Sequence, residues 1–466
     1  MAFCNPLGLG KRARSGIRRR ATAIGASLIY LVWAATPSYA QGIDIIRDTE
    51  IERVLHSYED PFLKAAGLDP HAVKIYLVND SSVNSFAAEG QNIFIQTGMI
   101  LYVKSPDELK GVMAHETGHI AGGHLIRDVS AMNKSMIPML IGLVAGAAAM
   151  AAGAGEAGMG VMMAGEQVGE AQFLEFSRAQ EATADQMGMK YLTAAHESGR
   201  GMLAVFERMA DEAAMTADPQ RSNPYASDHP LDRERVALLQ SLVEASPYRD
   251  VQDTPAEIHE FQMIQAKLAG YLSKPAAVLR RWPPSDTSEP ARYARAMAYF
   301  RQPDLQKALV ETNSLIAEEP NNPYFHELLG QIYVEMAQPQ KGVAPYQKAV
   351  DLLPDAPLLR ISLAQAEIAT EDPKNYKLAL DNLKIALQQE DDNDFGWYEA
   401  AEAYSRMGNE PMADLSTAER YFADGQMKPA GMFAMRAAHG LTKGSSDWQR
   451  ASDIAAAAST DSSNKQ

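Results

Sequence analysis

The sequence predicts an α+β fold that is mostly helical, followed by an all-α array. Two segments, 73–80 (VKIYLVND) and 91–98 (QNIFIQTG), are short, rich in β-branched and aromatic residues, and bounded by Asn, Gly or Thr, which is typical of strands. After residue 256 the residue pattern is repetitive and helical. We therefore expect a helical domain with a small β-sheet at 41–250 and a helical array at 256–450.

The first 40 residues have the layout of a secretory signal peptide. A basic stretch at 11–20 (KRARSGIRRR) precedes an apolar stretch, and Ser38 and Ala40 place small residues at a cleavage site. We expect cleavage after Ala40 and export of the remaining chain. The alternative is a retained N-terminal membrane anchor, which the short apolar stretch disfavours.

The composition argues against two classes of function. The formal net charge is −16, and residues 1–40 contain six basic residues and no acidic one, so the chain after cleavage is more acidic still. A strongly acidic surface repels phosphate backbones, which argues against a nucleic-acid partner. Cys4 is the single cysteine and leaves with the signal peptide, so neither a disulfide nor a catalytic thiolate is expected.

The second half of the chain contains tetratricopeptide-like repeats. Small and aromatic residues recur at the spacings of a helix–turn–helix unit of roughly 34 residues. The clearest copy consists of Gly330, Tyr333, Gly342, Tyr346, Ala349 and Pro354. About four such units would form a curved array with a concave, peptide-binding face. The polar segment 246–255 is the expected linker, and 451–466 is expected to be a flexible tail.

The segment AHETGHIAGGH at 114–124 lies in a predicted helix whose start is well marked. Ser105 is its predicted cap and Pro106 fits its first turn. His115 and His119 are four residues apart and therefore lie on one helix face, where both can bind one metal ion. Glu116 lies beside them, in the position of a general base that takes a proton from the attacking water.

A catalytic zinc site needs a third protein ligand. His124 is one residue short of the position that an extended histidine motif would require, and we interpret it as structural. Glu181, in the segment SRAQEATAD on a second predicted helix at roughly 171–193, is the better candidate. Asp185 lies one turn further along that helix, where it can accept a hydrogen bond from a ligand histidine.

The H-E-x-x-H motif together with SRAQEATAD resembles the M48 family of zinc metallopeptidases. The resemblance implies a zincin-type metalloprotease domain in which His115, His119 and Glu181 bind one zinc ion and Glu116 is the base. It also implies a periplasmic zinc-dependent endopeptidase, whose repeats bind misfolded or stalled outer-membrane proteins or their assembly machinery. The alternative is a chaperone or scaffold for outer-membrane protein assembly with repressed proteolysis.

The same resemblance implies further site residues. Asn84 and Phe86 lie in a segment similar to the family's active-site edge strand, which pairs with an extended substrate. His229 and Arg235 match a His-Pro segment that faces the metal, where they would stabilise an oxyanion. His229 is alternatively a zinc ligand that closes the open position in a resting state. The plainer alternatives are a loop histidine without a role and a solvated arginine.

An uncharged run lies between the predicted ligands, at 135–155. It is long enough to span a bilayer, but its Ala- and Gly-rich composition is only weakly apolar. A single span would also separate His119 from Glu181. We expect a helix followed by a mobile glycine-rich loop over the site, and the alternative is a peripheral membrane contact through 135–165.

Overall fold

A computed structural model describes residues 44–88, 91–151, 155–215 and 224–464. The predicted signal peptide and its cleavage site lie outside these residues. The described chain is mostly helical with one small sheet and a C-terminal helical array, so the predicted fold class is confirmed. The elements before residue 250 are β1 (Ile45–Ile46), α1 (Thr49–Ala66), β2 (Lys74–Val78), β3 (Ser85–Ala88), β4 (Asn92–Gln96), α2 (Thr97–Tyr102), α3 (Pro106–Gly122), α4 (His124–Ala151), α5 (Gly155–Ala194), α6 (Arg200–Met215), α7 (Pro224–Asp228) and α8 (Arg233–Ala245).

The four strands form one sheet in the order β1-β2-β4-β3. Both predicted strands are present, and they pair in parallel with Ile75 opposite Ile93. β3 pairs antiparallel with β4 and is an edge strand. It packs against α3, so the sheet presents one strand edge to the surface next to the helix that carries the H-E-x-x-H motif.

Helix α3 has the start that the sequence predicts. The Ser105 side chain accepts a hydrogen bond from the backbone N–H of Glu108, and Pro106 is the first helical residue. The helix ends at Gly123, whose φ of 61° lies in the left-handed region that glycine adopts without strain. The chain then turns directly into α4, which leads away from the end of α3.

A close approach of two helices places α5 beside α3. A Cβ atom at Gly118 would lie 2.6 Å from the carbonyl oxygen of Ala184, so only glycine allows the two backbones to come this near. Gly118 precedes His119 and Ala184 precedes Asp185, which means that this contact brings the residues of the candidate site together.

Helices α4 and α5 form a long hairpin. We expected a helix at 135–155 followed by a glycine-rich loop, but residues 155–170 are helical and continue into α5. The two helices meet along their glycines, and this close packing compensates for the low helix propensity of glycine. None of the described helices combines the length and the apolar character needed to cross a membrane.

The array consists of paired helices that stack on their neighbours. Gly330 of one helix lies against the ring of Tyr346 on the next. The elements are α9 (Pro255–Leu272), α10 (Pro275–Arg281), α11 (Glu289–Arg301), α12 (Leu305–Glu318), α13 (Pro323–Glu335), α14 (Pro339–Leu352), α15 (Pro357–Ala369), α16 (Pro373–Gln389), α17 (Asp394–Arg406), α18 (Glu410–Ala423), α19 (Met427–Gly440) and α20 (Ser446–Asn464).

The first helices of the array share a core with the preceding domain. Phe261, Ile264 and Leu268 of α9 are buried in the same apolar cluster as α1, α2 and α3. Lys267 is also buried, and its ammonium lies 2.7 Å from Asp48 Oδ2 on the N-terminal side of α1. The predicted boundary at 250–256 therefore separates two sequence patterns within one continuous core.

The structure differs from the expected flexible tail at 451–466. Residues up to Asn464 belong to α20. Ala451 and Ile454 are fully buried against the alanines of α19. The alanine-rich composition that suggested a loose tail instead provides the small side chains that let this helix pack closely.

Candidate metal centre

Four side chains converge at the end of α3. His115 and His119 lie on this helix, Glu181 lies on α5, and His229 follows α7 directly. Each offers one ligand atom, and these atoms all lie within 4.8 Å of one another. His115, Glu181 and His229 are buried, and His119 is nearly so. The cluster thus combines the three predicted ligands with His229.

The spacing of the ligand atoms fits a metal ion of the size of zinc. The Nε2 atoms of His115 and His119 are 3.0 Å apart, and each lies 3.4 Å from an oxygen of Glu181. Four atoms bound tetrahedrally at about 2.1 Å are roughly 3.4 Å from one another. His229 Nδ1 lies 3.1 Å from Glu181 Oε2 and 3.4 Å from His115 Nε2, so it occupies the fourth corner.

Two buried charged residues hold the ligands in place. Asp185 Oδ1 lies 2.9 Å from His115 Nδ1, which leaves the lone pair of Nε2 directed into the cluster. Arg235 donates through Nε and Nη2 to the two oxygens of Asp185, at 2.6 and 2.8 Å. Its Nη1 lies 2.9 Å from Glu181 Oε2. The guanidinium of Arg235 therefore connects Glu181 to Asp185, the hydrogen-bond partner of His115.

His124 lies beside the cluster and is not one of its four members. It is 1% exposed, and its Nδ1 lies 3.1 Å from Nδ1 of His119. This contact orients the His119 ring, so that Nε2 faces Glu181. His124 thus supports the second histidine ligand as Asp185 supports the first.

The pKa values reflect burial and close partners. Burial lowers the pKa of His119 to about 3, so its imidazole is neutral and has a free lone pair. Burial also lowers the pKa of His115, but hydrogen bonds with Asp185 and Glu181 outweigh it and raise that pKa to about 9. Burial alone would raise the pKa of Glu181, yet His229 and the hydrogen bonds of the histidines hold it far below its usual range.

Glu116 lies beside this cluster, and no side chain holds its carboxylate by a hydrogen bond. Both its oxygens are buried and make no close hydrogen bond among the described residues, although the backbone N–H of Ala87 lies near enough to lower the pKa of this carboxyl group. Oε1 lies 3.8 Å from Nε2 of His229. Burial raises the pKa of Glu116, and the neighbouring His229 and His115 oppose that rise. A buried carboxylate of this kind is suited to exchanging a proton with a reactant.

The charges of the centre match a divalent cation. Three carboxylates, on Glu116, Glu181 and Asp185, are buried together with one guanidinium, on Arg235. Histidines that bind a metal must be neutral, and with neutral histidines and three ionised carboxylates this group carries two net negative charges. An uncompensated buried charge is costly, and a bound divalent ion would compensate both.

Of the two predicted substrate-binding residues, Phe86 lies on the edge strand and Asn84 directly precedes it, and both side chains have contacts within the protein. Asn84 is 6% exposed, and its Nδ2 donates to Asp228 Oδ2 at 2.9 Å. Because Asp228 precedes His229, this bond helps to fix the loop that carries the histidine. Phe86 stacks on Phe94, with 5.0 Å between the ring centroids. Phe86 is only half-buried, and the role predicted for both side chains stays a prediction.

The sequence interpretation missed two aromatic residues. The Tyr225 ring lies 4.5 Å from the ring of His229, and the backbone N–H of His229 donates to the carbonyl oxygen of Tyr225. Phe206 packs edge-on against His115 at 5.4 Å. The spacing of Tyr225, four residues before His229, is a helical signal that could have identified it. Phe206 gives no signal beyond that of a core residue.

Comparison with known proteins identifies the family. The peptidase family M48 model matches residues 46–243. A protein named Protease HtpX homolog, from Methylibium petroleiphilum, is 32% identical over 200 residues, covering 36% of this chain and 68% of that protein. The chain belongs to peptidase family M48.

Other M48-like relatives match a larger share of the chain. The Beta-barrel assembly-enhancing protease of Escherichia coli (strain K12) is 23% identical over 365 residues, covering 76% of this chain and 72% of that protein. Metalloprotease YcaL of the same organism is 26% identical over 178 residues, covering 37% and 63%. As a member of M48, the chain is a metalloendopeptidase, and the His- and Glu-rich centre is compatible with the divalent metal that such an enzyme uses.

Proposed function

We propose that the protein is an exported, zinc-dependent endopeptidase that cleaves misfolded or stalled outer-membrane proteins. The observation that carries this proposal is Glu116, a buried carboxylate that no side chain holds by a hydrogen bond, next to a complete set of metal ligands. A purely structural zinc site has no use for such a residue. Two histidines with one carboxylate are a donor set that suits zinc.

Each residue of the centre has a defined task in this proposal. His115, His119 and Glu181 hold the ion, which supplies Lewis-acid polarisation of the scissile carbonyl when bound. Glu116 takes a proton from the attacking water and passes it to the leaving nitrogen. Arg235 acts as a positioning residue, because each of its guanidinium nitrogens already contacts Asp185, Glu181 or a backbone carbonyl.

His229 is proposed as a fourth ligand in a resting state. Its Nδ1 occupies the corner of the ligand tetrahedron that a reactant would need. The histidine sits on a short loop after α7, fixed through the contact between Asn84 and Asp228. Release of this loop would open the corner and place His229 Nε2 near the reacting carbonyl, where it would stabilise the oxyanion.

The substrate is proposed to bind as an extended strand along β3. Among the described strands, β3 has a neighbour on one side only and lies next to α3, and addition of a strand at its other side uses main-chain hydrogen bonds that do not depend on sequence. Asn84 and Phe86 would then contribute by shaping the strand. This mode of binding suits an enzyme whose substrates have exposed backbone in common but differ in sequence.

Location and clients are proposed from the relatives. The name of the E. coli relative states a role in β-barrel assembly, and the likeness extends over most of this chain. We therefore place the protein in the periplasm after cleavage at Ala40. A protease domain at 41–250 would act on clients bound by tetratricopeptide repeats at 256–450. A membrane contact through 135–165 is the remaining partner prediction.

A second candidate function is a scaffold with repressed proteolysis. The closed fourth corner at His229 favours it, because a centre in that state has no open position for a substrate. The two functions differ in what Glu116 does for the cell. A scaffold keeps its cellular role when Glu116 is replaced by Gln, whereas a protease loses it.

The test is metal content measured together with casein cleavage on the purified chain 41–466. Wild type should hold one zinc and cleave, E116Q should hold zinc without cleaving, and E181A should lose zinc. An exposed glutamate of α6, changed as E207Q, is the matched control and should behave as wild type. If wild type holds zinc and cleaves poorly while H229A cleaves faster, the resting state is supported. A zinc-free wild type would refute the proposal.

A further inference from the structure

In the described part of the α4–α5 hairpin, few side chains pack between the two helices. Its two helices meet along a glycine seam, where a Cβ atom at Gly142 would lie 2.7 Å from the Cα of Gly165 and one at Gly146 would lie 2.5 Å from the carbonyl oxygen of Gly158. Backbones that pack this closely leave little room for side chains between them, and the side chains of Met139, Met150 and Met162 lie against the seam glycines. Most of the large side chains described for the hairpin are exposed.

Those outward side chains are mostly apolar. Val144 is 69% exposed and Ile141 is 63% exposed. The others with large exposed fractions are Met136, Ile137, Met139, Leu140, Leu143, Met150, Met159, Val161, Met163, Val168 and Leu174. Soluble proteins rarely expose a contiguous apolar surface of more than a few hundred Å², and larger ones mark binding sites. We call this surface the apolar hairpin.

The apolar hairpin is continuous with the catalytic centre. Helix α4 begins at His124, which contacts His119, and α5 leads back to the ligand Glu181. Leu174 precedes Glu181 by seven residues, or about 10 Å along the helix, and Val161 by about 30 Å. An extended chain advances roughly 3.3 Å per residue. Substrate residues about three to nine positions from the scissile bond would reach this stretch.

The distribution of side chains favours a polypeptide over a lipid bilayer as the occupant. The large apolar residues concentrate in 136–144 and 161–174, the half nearer the centre, whereas the tip at 145–160 is mostly Ala and Gly. A hairpin that enters a bilayer does so tip first. Exposed carboxylates at Glu166, Glu170 and Glu175 would also repel anionic headgroups, but an unfolded chain can pass between them.

We infer that the apolar hairpin is an exosite for extended apolar segments of a substrate, several residues away from the bond that is cleaved. The inference rests on the proposed endopeptidase function and adds a substrate class, namely unfolded chains with exposed apolar stretches. In this scheme the hairpin selects the substrate, and pairing of the substrate with β3 positions the bond that is cleaved. Long apolar substrates should therefore be preferred over short ones that contain the same bond.

The test compares two peptides that contain one bond found to be cleaved in β-casein. One has about eight residues and the other about 24, with the apolar casein sequence extending beyond the bond. The hairpin variant is I141Q/V144Q, because Gln at exposed helix positions keeps helix propensity. The control is M215Q/L238Q, which changes two residues of α6 and α8 that are 83% and 52% exposed. We expect kcat/KM for the long peptide to fall about tenfold through KM in the hairpin variant alone.

A binding measurement keeps the test independent of chemistry. Fluorescence anisotropy of the labelled long peptide with E116Q, and with E116Q carrying I141Q/V144Q, should show the same tenfold loss even if cleavage is repressed. Equal values for the two proteins would overturn the exosite while leaving the protease proposal intact. The inference is also overturned if the substitutions leave the peptide data unchanged and instead abolish sedimentation with phosphatidylcholine–phosphatidylglycerol vesicles or dissociate a dimer.

Discussion

Substitution of Gly118 by Ala should weaken metal binding without touching a ligand. The added methyl group would lie 2.6 Å from the carbonyl oxygen of Ala184 and 3.0 Å from its Cα. Nonbonded carbon and oxygen atoms stay about 3.2 Å or more apart, so α3 and α5 must separate by roughly 0.6 Å. Metal sites tolerate only about 0.2 Å in a ligand distance, and His119 and Glu181 lie on opposite sides of this contact.

The expected result is a loss of zinc affinity of about 10- to 100-fold, similar to that caused by losing an outer hydrogen-bond partner. Overpacking should also cost about 1–3 kcal/mol of unfolding free energy. Zinc affinity is measured by competition with a chromogenic chelator, and stability by urea unfolding of the metal-free chains. The matched control is G160A, because a Cβ atom at Gly160 meets nothing within 4 Å and Ala favours the helix. Zinc affinity of G118A within twofold of wild type would refute the argument that this glycine sets the position of Glu181.

Three further outcomes are expected. D185N should lower zinc affinity about 10- to 100-fold in the chelator assay, because Asp185 orients His115; a change in activity without one in affinity would contradict this. Burial raises the pKa of Glu59 from 4.5 to about 8, so its contribution to stability is full below pH 4.5 and is lost as the pH rises to about 8. The unfolding free energy, measured with urea, should therefore fall less between pH 5 and pH 8 for E59Q than for wild type. An equal fall in the two proteins would exclude Glu59 as the cause of the pH dependence. K267M should reduce the unfolding free energy by about 3–5 kcal/mol, because it leaves buried carboxylates without their counter-ion; the exposed control K307M should change it by under 1 kcal/mol.

Local sequence signals predict much of the site. The capping pattern at Ser105 and Pro106 defines the start of α3, and the four-residue spacing of His115 and His119 puts both rings on one face. These features depend on residues close in sequence, where helix geometry leaves few alternatives. The predicted strands follow in the same way from short β-branched runs.

Contacts between distant segments are harder to predict. The role of His229 depends on a loop brought to α3 from more than 100 residues away, and no local pattern states that its Nδ1 will complete a tetrahedron. The glycine-rich stretch at 155–170 has the composition of a loop. It is helical because Gly142 and Gly165 pack against each other across the hairpin. Both are properties of the packed molecule and not of a sequence window.

The continuous core between the protease part and the first array helices limits how modular this protein is. A chain that ends at residue 255 would expose the apolar surface on which Phe261 and Leu268 pack. It would also leave the buried carboxylates of Asp48 and Glu50 without the ammonium of Lys267 as counter-ion. Recombining this peptidase with a different recognition array therefore requires a junction within the array, beyond the helices that complete the core. The first array helices and the helix that carries His115 are therefore parts of one folded unit.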